Sequence, residues 1–120
     1  LIVSAGFLKI LGPQFLAQWP SRIVNTHNSL LPSLVGIPGP RDALRAGVKL
    51  AGATLFIVDP GMDTGPILAQ VAVPVHDDDD LETLTERIKV AERAQLVASV
   101  GRMVAHGWWI DEVRAGFESD

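Results

Sequence analysis

The stretch that decides the fold is Ile23-Val24-Asn25-Thr26-His27-Asn28-Ser29, in which a short apolar run passes into a polar cluster. Short apolar runs bounded by turn formers are typical of buried strands. An open α/β sheet places its binding groups at the ends of its strands. We therefore predict a strand over residues 23–25 that leads directly into a candidate functional site.

Segments with strand and helix character alternate along the rest of the chain. Strands are predicted where β-prone or apolar runs are bounded by turn formers, at residues 1–5, 49–58, 67–75 and 108–110. Helices are predicted where apolar residues recur at helical intervals, at residues 13–19, 41–46 and 81–100. The intervening residues 30–40 and 59–66 are rich in proline and glycine and are predicted as loops. This alternation predicts one α/β domain over residues 1–120 with an open, mostly parallel sheet.

Composition narrows the classes of function. The chain has 10 basic and 14 acidic residues and a net charge of -4, which argues against nucleic acid as a partner. Cysteine is absent, so disulfides and thiolate metal sites are excluded and a cytoplasmic location is expected. No apolar run reaches the roughly 20 residues that a membrane-spanning helix needs. The acidic run at residues 77–80 is interpreted as a solvated helix start rather than a metal site.

Asn25 and His27 are the best candidates for chemistry. They project to the same side of a strand because side chains alternate with a period of two. An amide N–H and an imidazole N–H can together stabilise a developing oxyanion, which suits acyl-group chemistry. The same residue types also cap turns, and that structural interpretation remains open. Ser29 is a weaker candidate for a nucleophile because no G-x-S-x-G elbow surrounds it.

Asp63 is the third candidate, because its turn-rich loop follows another predicted strand. In a parallel sheet the loops after two strands meet at the same edge, so we expect Asp63 to converge with Asn25 and His27 there. A carboxylate beside an imidazole stabilises its charged form and can relay a proton. The two other histidines, His76 and His106, are interpreted as surface or helix-end residues.

Four ordered motifs carry a resemblance to a known family. Residues 25–32 read Asn-Thr-His-Asn-Ser-Leu-Leu-Pro and resemble the N-x-H-P-S-L-L-P signature of folate-dependent formyltransferases. Residues 61–68 resemble that family's D-x-G-P loop, and residues 5–13 are similar to its A-G-F-M-R-I-L segment. Residues 85–92 resemble the late helix of the members that act on glycinamide ribonucleotide. The match covers essentially the whole chain.

The resemblance implies a Rossmann-like sheet and transfer of a formyl group from 10-formyltetrahydrofolate to the amine of glycinamide ribonucleotide in purine biosynthesis, without a metal. It implies that Asn25 and His27 polarise the formyl oxygen while Asp63 supports His27. Lys89 and Glu92 are implied to contact the substrate ribose, and their i, i+3 spacing places them on one helix face. The residues implied to form an apolar folate cleft are Leu8, Lys9, Ile10, Leu11, Asp59, Pro60, Gly61 and Met62.

The chain also departs from the family pattern. Asn28 stands where the family usually has a proline, and Pro38 and Phe56 stand where it often has histidines. The family's N-terminal half, whose glycine-rich loop holds the substrate phosphate, has no counterpart among these 120 residues, so the chain is expected to be a C-terminal portion. Because positioning contributes about 7–11 kcal/mol to such reactions, we expect negligible transferase activity from this chain alone.

Two alternatives follow from the same residues. Formyltetrahydrofolate hydrolase resembles the chain through the non-proline residue after His27 and through residues 35–38, Val-Gly-Ile-Pro. A catalytically silent folate-binding domain is the alternative from another class. The expected partners are small molecules, and a homodimer is left open.

Overall fold

The computed structural model describes residues 1–5, 22–31, 39–59 and 65–118. Six strands and two helices are assigned within these ranges. The strands are β1 (Ile2–Ala5), β2 (Ile23–His27), β3 (Leu50–Ile57), β4 (Ile67–Pro74), β5 (Trp108–Asp111) and β6 (Arg114–Phe117). The helices are α1 (Gly39–Ala46) and α2 (Leu81–His106). The predicted helix at residues 13–19 lies outside the described residues.

The described strands form one open sheet in the order β1-β2-β3-β4-β6-β5, which confirms the α/β class. Its pairings are mixed rather than mostly parallel. β1 runs parallel to β2 and β4 runs parallel to β6, whereas the β2–β3, β3–β4 and β5–β6 pairs are antiparallel. Residues 58–66 between β3 and β4 are too few for the crossover that parallel neighbours require, so the chain turns back as a hairpin.

The core lies between the sheet and α2. β3 is buried from Ala51 to Ile57, as expected of a strand with neighbours on both edges and a helix above it. On the helix side, α2 buries Leu84, Ile88, Ser99 and Met103 at helical spacing. Two clusters result, one around Leu84 and Ile88 near α1, and one around Met103, Val24 and Leu55.

The acidic run at residues 77–80 lies directly before α2 and ends in its N-cap, Asp80. The carboxylate of Asp80 accepts from the Thr83 N–H at 2.8 Å, and the Thr83 hydroxyl accepts from the Asp80 N–H at 3.1 Å, which is a capping box. The guanidinium of Arg87 donates to both oxygens of Asp79, at 2.6 and 2.9 Å. No cluster of three metal-ligating side chains occurs in the part of the chain that the structure describes.

The C-terminal residues form a hairpin that the sequence predicts only in part. β5 matches the predicted strand, but β6 was not predicted. The connecting turn places Glu112 at φ 56°, a conformation that usually selects glycine or asparagine, so the usual hairpin signal is missing. Arg102 of α2 lies over the Phe117 ring at 4.4 Å and Arg22 lies over Trp108 at 5.2 Å, which holds the hairpin against the domain.

The other predicted elements agree closely with the structure. α1 begins at Gly39, two residues earlier than predicted, and takes the end of the segment that was predicted as a loop. α2 continues to His106, beyond the predicted residue 100. Neither α1 nor α2 combines the length and the apolar character that a membrane span requires.

Candidate active site

Strand β2 presents Asn25 and His27 on one face of the sheet, as predicted. Both side chains are buried, at 6% and 7% exposure. In the antiparallel register Asn25 lies opposite Phe56 and His27 lies opposite Thr54. Because side chains alternate along a strand, these four residues share one face, and Val24 and Thr26 point to the other face, toward α2.

The amide group of Asn25 has a defined orientation. Its Oδ1 accepts a hydrogen bond from the backbone N–H of Thr26 at 2.8 Å. Since a backbone N–H can only donate, the accepting atom is the oxygen, and the amide nitrogen is turned to the other side. The side chain is therefore set to act as a donor through Nδ2, which is the role that oxyanion stabilisation requires.

Phe56 gives the site an apolar wall. This residue occupies the position where the family often has a histidine, and it is buried directly across from Asn25. It offers neither a proton nor a hydrogen bond. Phe56 itself therefore takes no part in proton transfer.

The segment that follows His27 is held by a network on β3 and β4. The hydroxyl of Thr54 donates to the Ser29 carbonyl at 2.7 Å and accepts from the Leu31 N–H at 3.0 Å. The amide of Gln70 donates to the Leu31 carbonyl at 2.8 Å and to the Thr54 hydroxyl at 3.1 Å. Ser29 itself is 1% exposed, so a nucleophilic role for it gains no support. The network fixes the backbone immediately after the candidate histidine.

Asn28 has a structural role that the family's usual proline cannot fill. Its Oδ1 accepts from the backbone N–H of Gly39 at 3.3 Å, which caps the first turn of α1 from a distant segment. The close approach also requires Gly39 to be glycine, because an added Cβ would collide with the carbonyl of Asn28. A proline at this position has no side-chain acceptor. Sequence reasoning missed this contact because it joins residues on either side of an irregular segment.

Glu92 approaches β2 from α2. Its side chain is half-buried, and burial raises the pKa of the carboxyl above its ordinary value. The Thr26 hydroxyl and then His27 oppose this effect and lower the pKa, which places the carboxylate beside both residues. Lys89, one turn earlier, is exposed and lines a cavity of about 690 Å³ with Thr85 and Glu86. The helix therefore brings Glu92, but not Lys89, against the candidate strand.

The third candidate, Asp63, lies outside the described residues, as do the predicted folate residues 8–11 and 60–62. Asp59 is described and is half-buried at the end of β3. The segment between β3 and β4 leaves the sheet beside Ile23, where the Val58 N–H donates to the Ile23 carbonyl at 2.8 Å. It returns where the Ile57 N–H donates to the Pro66 carbonyl at 2.8 Å.

This geometry corrects the reason given for the convergence of Asp63 with Asn25 and His27. The prediction assumed that these residues follow parallel strands, but β2 and β3 are antiparallel, and Asn25 and His27 lie within β2. The loop after β3 therefore begins at the end of the sheet where β2 starts, nearer to Asn25 than to His27. Convergence of the three side chains remains a prediction about a loop that turns back over β2.

Comparison with known proteins places this chain in a family. A sequence profile of the family described as formyl transferase matches residues 1–100. The chain is 60% identical over 107 residues to phosphoribosylglycinamide formyltransferase from Mycobacterium tuberculosis, covering 89% of this chain and 50% of that protein. The crystal structure of phosphoribosylglycinamide formyltransferase from Anaplasma phagocytophilum superposes with a TM-score of 0.92 at 36% identity, covering 100% of this chain and 58% of that one.

A formyltetrahydrofolate deformylase from Pseudomonas syringae also shares the fold, with a TM-score of 0.90 at 28% identity, over 98% of this chain and 40% of that one. The shared fold and the matching sequence define the class of protein. The chain belongs to the formyl transferase family. Among the relatives that it resembles, those from M. tuberculosis and Bacillus subtilis are named phosphoribosylglycinamide formyltransferases. The chain spans about half the length of these curated relatives.

Proposed function

We propose that this chain supplies the catalytic strand and the ribose-binding helix of an enzyme that transfers a formyl group from 10-formyltetrahydrofolate to the amine of glycinamide ribonucleotide. The observation that carries the proposal is the pair on β2: Asn25 and His27 are buried on one face, and the Asn25 amide is oriented as a donor. Glu92 reaches the same strand from α2. The substrates follow from the names of the similar proteins.

In the proposed reaction the substrate amine attacks the formyl carbon, and the formyl oxygen gains negative charge. Asn25 donates to this oxygen through Nδ2, and His27 donates through a ring N–H. The amine loses a proton as the new C–N bond forms, and the N10 nitrogen of the folate gains one as its C–N bond breaks. Asp63 is proposed to support His27 and to carry these proton transfers.

The remaining assignments belong to the same proposal. Lys89 and Glu92 contact the substrate ribose, and residues 8–11 with residues 59–62 form the cleft for the folate. The whole protein is proposed to work on small molecules in the cytoplasm without a metal, and a homodimer is left open. The phosphate of the ribonucleotide is held outside this chain, because the family's glycine-rich loop has no counterpart in these residues.

The test uses the chain extended upstream with its native sequence, beside the 120-residue chain itself. Formation of tetrahydrofolate is followed with and without glycinamide ribonucleotide. We expect turnover that depends on the ribonucleotide in the extended protein and negligible turnover in the short chain. The variant His27→Asn abolishes turnover, and the surface variant His76→Asn is the matched control. Comparable turnover from the short chain would show that the additional half is dispensable.

Formyltetrahydrofolate hydrolysis is the second candidate, and a specific observation favours it. The deformylase from P. syringae shares the fold over nearly all of this chain, and Asn28 supplies a non-proline residue after His27 that holds α1. In the same assay, tetrahydrofolate formation that does not depend on the ribonucleotide identifies the hydrolase. Folate binding without either reaction identifies a silent binding domain.

A further inference from the structure

Thr26 has an unusual position between the two candidate catalytic residues. Its side chain points to the face of β2 opposite to Asn25 and His27, because it is paired with Leu55, which packs in the cluster around Met103 of α2. The side chain is 4% exposed. Among the residues that the structure describes, its hydroxyl has no partner with full hydrogen-bond geometry.

Packing alone does not explain a threonine at this position. A buried hydroxyl without a partner is less stable than an apolar group of the same shape, and valine has nearly the same volume. The neighbouring positions on this face, Val24, Leu55 and Ile57, are all apolar. The hydroxyl therefore needs an acceptor that it engages in the working state of the site.

Glu92 of α2 is the candidate acceptor. Its half-buried carboxyl lies against Thr26, close enough for the hydroxyl to lower the carboxyl pKa, although the pair in this structure falls short of full hydrogen-bond geometry. The exposed cations Arg93 and Lys89 of the same helix also lower the carboxyl pKa.

We infer that Thr26 is a positioning residue for Glu92: its buried hydroxyl donates to the ionised carboxylate and ties α2 to the strand that carries Asn25 and His27. One carboxylate oxygen is then occupied by Thr26, and the remaining lone pairs are directed away from the core toward hydroxyl groups of a substrate. The distance between the substrate's sugar and the reacting formyl group is thereby set by a side chain on the catalytic strand. The substrate half of this inference rests on the proposed function.

The direct test measures Glu92 in the 120-residue chain by NMR titration of its side-chain carboxyl. Thr26→Val removes the hydroxyl at nearly constant volume, and Thr26→Ser keeps it. We expect the Glu92 pKa to rise in Thr26→Val and to stay near the unsubstituted value in Thr26→Ser. An unchanged Glu92 pKa in Thr26→Val would overturn the inference. Backbone amide spectra of β2 and α2 confirm that both variants keep the fold.

The second measurement uses the extended protein and separates this inference from the proposed function. In Thr26→Val we expect KM for glycinamide ribonucleotide to rise about tenfold with kcat within about twofold, because a hydrogen bond to a charged group is lost at a binding residue. Thr26→Ser restores KM. If the unsubstituted protein transfers no formyl group, the proposed function fails while the NMR result still decides the Thr26–Glu92 contact. An unchanged KM in an active protein overturns the substrate half of the inference.

Discussion

Two regions of this chain concentrate polar side chains, and they differ in whether those groups satisfy one another. In the acidic turn before α2, Asp79 accepts from Arg87, from the Thr83 hydroxyl and from the His76 N–H. The Arg87 guanidinium is the main reason that the pKa of Asp79 lies well below its ordinary range. Every oxygen of this carboxylate is thus engaged within the turn.

Strand β2 and the part of α2 that carries Glu92 show the opposite arrangement. The Thr26 hydroxyl is buried without a full hydrogen bond among the described residues, and burial raises the pKa of Glu92. Unsatisfied or unfavourably ionised groups destabilise a fold, so they persist where a ligand completes them. The comparison teaches that a polar cluster whose groups all bind one another, such as residues 76–80, has a structural role. Polar groups that lack a full hydrogen bond indicate the candidate site instead.

The largest effect is expected on β2. In the extended protein, Asn25→Ala removes one oxyanion donor and lowers kcat for formyl transfer on the order of a hundredfold or more. The matched control, Asp77→Asn, lies in the exposed part of the acidic turn and leaves kcat unchanged. Steady-state assays of both variants check the contrast. Equal losses of kcat in the two variants would show that the pairing of polar groups does not distinguish catalytic residues from structural ones.

The Thr54 network is expected to show a smaller, purely structural effect. Thr54→Val leaves the Leu31 N–H and the Ser29 carbonyl without their buried partner and lowers the free energy of unfolding by about 1–3 kcal/mol. Thr54→Ser keeps the hydroxyl and retains more of the stability. Urea denaturation of the 120-residue chain measures both. A stable Thr54→Val chain would mean that residues 28–31 are not held by this network.

The acidic turn predicts a pH dependence with a definite sign. Because the folded-state pKa of Asp79 is lowered, its contribution to stability is present above the unfolded value near 3.8 and is lost as pH falls through the folded value. Arg87→Met removes the main cause of this lowering. We expect the variant to be less stable than the parent at pH 6 and the difference to shrink as the pH falls below 3.8. Thermal unfolding across this range checks the sign, and a difference that grows in acid would contradict it.

Glu92 predicts the smallest effect and the reverse sign. Its folded-state pKa is raised above 4.5, so its contribution to stability is fully present below that value and is lost as pH rises through the folded pKa. Glu92→Gln therefore raises the melting temperature slightly at pH 7, and the gain disappears near pH 4. The exposed residue on the same helix supplies the control, since Glu86→Gln leaves the melting temperature unchanged. A lower melting temperature for Glu92→Gln at pH 7 would refute this account.

Much of the fold and part of the site could be predicted from the sequence. The strand at residues 23–25, the long helix from Leu81 and the pairing of Asn25 with His27 on one face follow from local periodicity, which depends only on neighbouring residues. β6 was missed because Glu112 occupies a turn position that normally shows glycine or asparagine. The direction of β3 was missed because the alternation of strands with helices, including the helix predicted at residues 41–46, is typical of a parallel sheet, whereas β2 and β3 are antiparallel.

The sequence by itself determined the class of the protein, the order of its motifs and the two residues on β2 that can stabilise an oxyanion, because these depend on residue type and on spacing within single elements. Only the tertiary structure decided that Asn28 caps α1, that Thr54 holds the backbone after His27, and that Thr26 is buried on the face of β2 toward α2. Each of these contacts joins elements far apart in the chain. Which distant groups meet depends on strand direction and helix packing, and local pattern carries little information about either.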